Sequence, residues 1–292
     1  MSIRFVPFEE IDKNKWNGTV HYAPNGNIYG YHWYLKSIIK EWDALVEGDY
    51  QSVMPIFRNL VTDFQLACLP ELGPYTVHAV SDDRCDLFYK WWDQHSTDKN
   101  YHFNHAFTAP LQTLYPDKFL PGTMEFIDMN MSHLDLQNAY HPDAKEALQK
   151  QNDDIFEYGG QGKPELLLEN ENINIENKST LYRLFYQAIQ RSAGYHSRLT
   201  NMHTGLQANF FIMSFQKELY ISYAGQNNDA ATELKLLDTL IKSNLGSHQR
   251  LFLPIEMAIK WFKAGIRHHK ILGSKAGKPK EILAWVSQIG QN

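Results

Sequence analysis

The sequence predicts an α/β protein with mixed (α+β) sheets, arranged as two similar units. Three observations lead there. At 292 residues the chain exceeds a typical one-core domain of about 100 to 200 residues. Helical and strand periodicities alternate along it. The order helix, hairpin, further alternating elements also occurs twice. The apolar fraction of 43% with 21% charged residues is that of an ordinary globular protein and excludes a largely disordered chain.

The first unit is marked by YGYHWYLKSIIKEWDALVEGDYQSVMP, Tyr29 to Pro55, which holds six Tyr and Trp residues in 27 positions. Tyr31, Tyr34, Leu35, Ile38, Ile39 and Trp42 recur at the spacing of one helical face, so they predict a buried stripe. Trp33 lies off that stripe and is left to meet a neighbouring surface or a ligand. Two strands follow, Ala44 to Glu47 and Tyr50 to Ile56, joined around Gly48-Asp49, where glycine supplies the positive φ of a tight turn. Pro55 cannot donate to a ladder and marks an edge or a bulge. Strands are expected at Phe64 to Leu69 and Tyr75 to Val80, a helix from Asp83 to Gln94, and strands at Tyr101 to Phe107 and Met124 to Met129.

Residues 132 to 152 read as helical, with a start at Pro142. GGQGKP (159 to 164) reads as a loop, and Glu169 to Lys178 as a polar connector. A domain boundary is therefore expected near residues 135 to 150. In the second unit Leu181, Leu184, Phe185, Ala188 and Ile189 form a helical stripe. Asn209 to Phe215 and Glu218 to Gly225 form a hairpin, and Asp229 to Asn244 a longer helix with Leu234, Leu237 and Ile241 on one side. A strand at Leu251 to Pro254, a helix from Glu256 to Ala264 and a last strand near Lys270 to Leu272 close the series.

Several function classes fall away on composition. A formal charge of −5 provides no general field for DNA or an anionic membrane. Two cysteines, Cys68 and Cys85, in a chain of this length read as free thiols in a reducing compartment. The start, MSIRFVPFEEIDKNKW, lacks the pattern of a secretory leader, and no apolar run approaches the ~18 residues of a membrane span, so a cytoplasmic protein is expected. There is no G-x-S-x-G elbow, no GxxxxGK[ST] loop and no GxGxxG fingerprint. Thirteen histidines raise the question of a metal. His102 and His105, three apart in an expected strand, would be split across its faces, and adjacent His268 and His269 likewise; no metal is expected.

The order of a helix, a central hairpin and a following helix resembles the GCN5-related acyltransferase (GNAT) fold, and a tandem pair of such units resembles the FemAB-type peptidyl and aminoacyl transferases. Asn27 to Trp33 (NIYGYHW) and Trp42 to Val46 (WDALV) are similar to the first helix and strand of that family. WDALVEGDYQSVMP with PELG (Pro70 to Gly73) resembles uncharacterised bacterial FemAB-like proteins. The resemblance implies two GNAT-like acyl-CoA N-acyltransferase-fold units, residues 1–140 and 141–292.

It also implies an N-acyl or aminoacyl transfer to the amine of a small molecule or peptide, with acyl-CoA or aminoacyl-tRNA as donor. The coenzyme A site of the fold lies at the helix start after the hairpin, here Gly225, Gln226, Asn227, Asn228 and Ala231, where unpaired N–H groups and the helix dipole favour an anion. Asp229 stands where the pattern has glycine. It is either an ordinary N-cap or a charge that repels phosphate, and it counts against acyl-CoA. Tyr223 is the candidate proton donor, against the alternative of an ordinary strand aromatic. Glu256 is the candidate general base, against that of a first-turn residue complementing its helix dipole. Trp33, Arg191, Tyr195 and Arg198 are candidates for the acceptor site; two arginines in a loop suit a carboxylate or phosphate, and a plain solvated loop is the other reading. The rival functions are a catalytically silent GNAT-fold binding module and a dimerisation unit built on exposed aromatics; the oligomeric state is open.

Overall fold

The structure, a computed structural model, describes residues 2–274 apart from 152, 161–163 and 170. Their contacts define two units, residues 2–123 with 269–274, and residues 124–268.

In the first unit β1 (Ile3–Val6), β2 (Trp42–Glu47), β3 (Ser52–Phe57) and β4 (Tyr75–Thr76) form an antiparallel sheet in that order. Helices α1 (Lys13–Tyr22) and α2 (His32–Ile38) precede the hairpin. Gly48 takes the expected positive φ of 56° in the turn. Pro55 faces Ala44 on one side, while β4 reaches only Ser52 and Val53 on the other, so the proline sits where β3 is an edge. The aromatic stripe is shorter than its period suggests. Helix α2 ends at Ile38, and Trp42 opens β2, all six residues of which are buried. Trp42, the first residue of this strand, falls by chance on the helical spacing, while Asp43 and Glu47 interrupt any apolar run.

Two further expectations change for local reasons. Phe64 to Leu69 is not a strand: Thr62 and Gln65 form a reciprocal capping box that starts α3 (Asp63–Ala67). Helix α4 (Asp82–His95) falls where predicted, and its Arg84 reaches Glu47 at 3.2 Å. The expected strand from Tyr101 shrinks to β5 (His102–Phe103), because the Asn104 side chain accepts from Ala106 N at 3.2 Å and starts α5 (His105–Leu114). Trp16 and Trp42 meet at 4.8 Å between ring centroids, and Trp92 packs on Tyr101 and Phe103, forming the aromatic core of this unit.

Strand β6 (Phe119–Asp128) leads into the second unit. There α6 (His133–Ala139) and α7 (Pro142–Lys150) precede β7 (Phe156–Gly160), α8 (Pro164–Leu168), α9 (Ile175–Gln190), β8 (Gly194–Asn201), β9 (Gln207–Phe215) and β10 (Glu218–Ala224). Then come α10 (Ala230–Asn244), β11 (Arg250–Leu253), α11 (Ile255–Trp261) and β12 (Ile266–Ser274). The sheet order is β6-β11-β10-β9-β8-β7, antiparallel except between β10 and β11. Residues 124 to 140, which the sequence assigns to the first unit, supply Ile127, Leu136 and Tyr140 to the core of the second. Leu234, Leu237 and Ile241 of α10 join Phe210, Ile212 and Leu219 in that core. Phe185 of α9 stacks on Phe211 at 3.9 Å. Because successive strand residues face opposite sides, α9 and α10 cover the two faces of the sheet. The expected loop at 159–164 is in part β7 and in part outside the described residues.

Candidate active site

Strand β10 pairs with β11 only from Glu218 to Tyr220. Between Ile221 and Tyr223 its register on β9 shifts by a bulge. An inserted residue bends a strand and increases its twist, which turns the end of β10 away from its parallel neighbour. A cavity of about 210 Å³ opens there, with Ser222, Tyr223, Gln226, Asn228, Glu256 and Lys260 in its wall. The bulge also ends the strict alternation expected for β10, since Ile221, Ser222, Tyr223 and Ala224 all line the same space.

The loop from β10 to α10 forms the floor. Asn228 accepts from Asn209 N at 2.8 Å and donates to Glu233, fixing the loop on β9 and α10. A Cβ on Gly225 would lie 2.8 Å from Asn228 Oδ1 and 3.3 Å from Glu171 Oε1, so this position has room only for hydrogen. Asp229 is an N-cap, accepting from Thr232 N at 2.9 Å and Thr232 Oγ1 at 2.7 Å. Glu171, just before α9, turns its carboxylate into the loop. It accepts from Gln226 N at 3.0 and 2.9 Å and from the Tyr223 hydroxyl at 2.9 Å. The backbone donor that would meet a phosphate therefore already holds an internal anion.

Burial sets the acid–base character of this pair. It pushes the Glu171 carboxyl above its usual range, and the bonds from Gln226 and Tyr223 only partly oppose that. Burial, followed by the charge of Glu171, raises the Tyr223 phenol, which stays protonated. Across the cavity, half-buried Glu256 stands in the first turn of α11, whose cap is Pro254 with no side-chain bond. Lys260 pairs with Glu233 at 2.9 Å and lies over the Trp261 ring at 4.4 Å. The arrangement brings together a carboxylate, a protonated phenol and an ammonium around a space sized for a small reacting group.

The structure thus gathers Tyr223, Glu256, Gly225, Gln226 and Asn228 around one cavity. Asn227 and Ala231 are exposed, and the Ala231 carbonyl accepts from Gln151 at 2.9 Å. Arg191, Tyr195 and Arg198 do not share a loop. Arg191 closes α9 and bonds Gln187 at 2.6 Å, while Tyr195 and Arg198 lie on β8, three apart and hence on opposite faces. The short turn after α9, with Ser192 at φ 54°, lets the strand begin earlier than the polar composition suggests. Trp33 is not left over from the packing: it is 9% exposed, set between Tyr31 and Tyr34. Tyr31, placed in the stripe by its spacing, is the half-buried member. Glu171 gave no sequence signal, since it falls in the aperiodic run ENENINIENK. A larger cavity, about 600 Å³, lies among α6, α7 and α10; Asp238 meets His133 there at 3.1 Å, and none of the predicted residues lines it.

No family model matches the chain, and no curated protein matches it. Among solved structures the likeness is one of fold, a mixed α/β architecture similar to that of FemX. FemX superposes with a TM-score of 0.63 over 93% of this chain and 97% of that one, at 8% identity. A conserved protein of unknown function from Enterococcus faecalis V583 (8% identity, 95% of this chain and 73% of that one) and a GCN5-related N-acetyltransferase from Kribbella flavida (9%, 93% and 70%) each give 0.39, too low to add to the argument. No helix of the described residues is long and apolar enough to cross a membrane.

Proposed function

We propose that this chain transfers an acyl group to the amine of a small molecule or peptide at the β10–β11 cavity, and that the donor is the aminoacyl ester of a tRNA. The observation that carries this reading is the presence of Tyr223 and Glu256 in the wall of one cavity where the two strands part. In the reaction the amine nitrogen bonds to the acyl carbon and the ester C–O bond breaks. Glu256 takes the proton from the attacking amine, and Tyr223 gives one to the departing ribose oxygen. Exchange with solvent restores both groups. Such a donor places the reaction in the cytoplasm.

The choice of donor follows from the loop. A pyrophosphate needs the N–H groups at the start of α10, but Glu171 holds the Gln226 N–H and Asp229 caps the helix. Two carboxylates repel a third anion. The occupied donors count against acyl-CoA, whereas an aminoacyl ester carries its acyl group without a pyrophosphate at that position.

Thermal unfolding with charged tRNA, uncharged tRNA and acetyl-CoA tests the proposal. Charged tRNA at 100 times its dissociation constant adds about 2.7 kcal/mol, a shift of a few degrees, and exceeds the effect of uncharged tRNA. Stabilisation by acetyl-CoA alone would overturn the donor assignment. No stabilisation by any of the three would favour the second reading, a catalytically silent binding protein. That reading has its own observation, the occupation of the loop donor by Glu171.

A further inference from the structure

A second cluster of reactive side chains lies in the first unit and plays no part in the acyl-transfer reading. Glu71, His105 and His269 come from three separate segments, and one ligand atom from each lies within 4.8 Å of the others. His105 Nδ1 is 2.7 Å from Glu71 Oε1, which also accepts from the His105 backbone N at 3.0 Å. The imidazole rings of His105 and His269 approach to 3.8 Å between centroids. Glu71 is 3% exposed, and the two histidines are half-buried.

The surrounding backbone fixes all three. Leu72 N donates to the His102 carbonyl at 2.8 Å and Asn104 N to the Leu72 carbonyl at 2.9 Å, holding the Glu71 segment alongside β5. Tyr101 reaches the Gly73 carbonyl at 3.2 Å. His105 is the first residue of α5, set by the Asn104 cap. Leu272 of β12 faces Phe103 of β5, and Thr108 Oγ1 reaches the Lys270 carbonyl at 3.2 Å, which ties the His269 segment to α5.

We propose that Glu71, His105 and His269 bind one divalent transition-metal ion of the zinc class. Two imidazoles and one carboxylate are a zinc donor set, whereas calcium and magnesium take oxygen ligands. Tetrahedral zinc with bonds near 2.0 to 2.1 Å separates its ligand atoms by roughly 3.3 Å, so side-chain rotations on the order of 1 Å complete the site. The ion takes the place of the proton shared between His105 Nδ1 and Glu71 Oε1. Three protein ligands leave one coordination position for water, the pattern of a reactive rather than a closed structural site. Glu71 Oε1 accepts from both the backbone N and Nδ1 of His105, so the carboxylate is already turned into the cluster. Spacing along the sequence does not reveal such a set. His268, next in line to His269, pairs instead with Glu125.

Zinc titration of the full chain against a chromophoric chelator, with Co²⁺ substitution read by visible absorption, tests the site. The expected result is one ion per chain and the intense bands of four-coordinate cobalt. His269→Ala and the isosteric Glu71→Gln should each weaken binding by about 10- to 100-fold or more, while His268→Ala leaves it unchanged. Circular dichroism and unfolding of the metal-free variants confirm that each is folded. No binding by the wild type, or binding that survives both His269→Ala and Glu71→Gln, would overturn the proposal; the second outcome would mean adventitious surface histidines. An equal loss in His268→Ala would also overturn it.

Discussion

At the scale of single residues, Glu171 is the side chain that most shapes the candidate active site, because its carboxyl takes up the Gln226 N–H and the Tyr223 hydroxyl at the start of the loop. Glu171→Ala removes the acceptor for Gln226 N and Tyr223 and should cost about 1 to 3 kcal/mol of stability. It also vacates the loop. Acetyl-CoA affinity, measured by calorimetry, should rise by about tenfold, or about 1.4 kcal/mol; no gain would mean that the emptied loop is still no anion cradle. His102 supplies a pH dependence. Burial lowers its imidazole to about 4, so the folded state keeps it neutral while the unfolded chain takes up a proton from about pH 6.5 downward. Its contribution is complete above that pH and is lost as pH falls through about 6.5 to 4, a change of about 3 kcal/mol. Urea unfolding at pH 7, 5.5 and 4 should show this loss, and His102→Asn should flatten it.

At the scale of elements, the start of α10 and the bulge in β10 shape the cavity. Asp229→Ala should cost about 1 kcal/mol through loss of the α10 cap, and Asp229→Asn much less, read from denaturant midpoints. Equal losses would mean that the charge rather than the capping bond matters there. These elements were legible in the sequence to different depths. Helix α10 and the β9–β10 hairpin were clear because Leu234, Leu237 and Ile241 keep a helical period and two apolar strands flank a two-residue turn. The cap at Asp229 was one of two readings the sequence left open, and its bond to Thr232 N shows the capping role. Phe64 to Leu69 was misread because a short apolar run fits a strand or a helix equally well, and the capping box decided it. The bulge in β10 was invisible, as nothing in ELYISYA marks an extra residue. Glu171 and the Glu71, His105 and His269 trio were unreadable for another reason: tertiary contacts between distant segments create them.

At the scale of the whole molecule, the chain keeps a FemX-like course over nearly its full length at 8% identity. Periodicity and turn chemistry carry alternating helices and strands, which is why the α/β character was readable in the sequence. Activity is a property of the site, and here Asp229 and Glu171 stand at the loop before α10 while the Glu256 carboxyl and the Tyr223 phenol line one cavity. The most direct measurement is single-turnover transfer of a labelled aminoacyl group from tRNA to an amine, comparing wild type with Glu256→Gln and Tyr223→Phe. The account predicts transfer by the wild type and a fall of about 10²- to 10⁴-fold in Glu256→Gln, with a smaller or equal fall in Tyr223→Phe. Wild-type transfer no faster than spontaneous aminolysis, or a Glu256→Gln variant as fast as wild type, would contradict it.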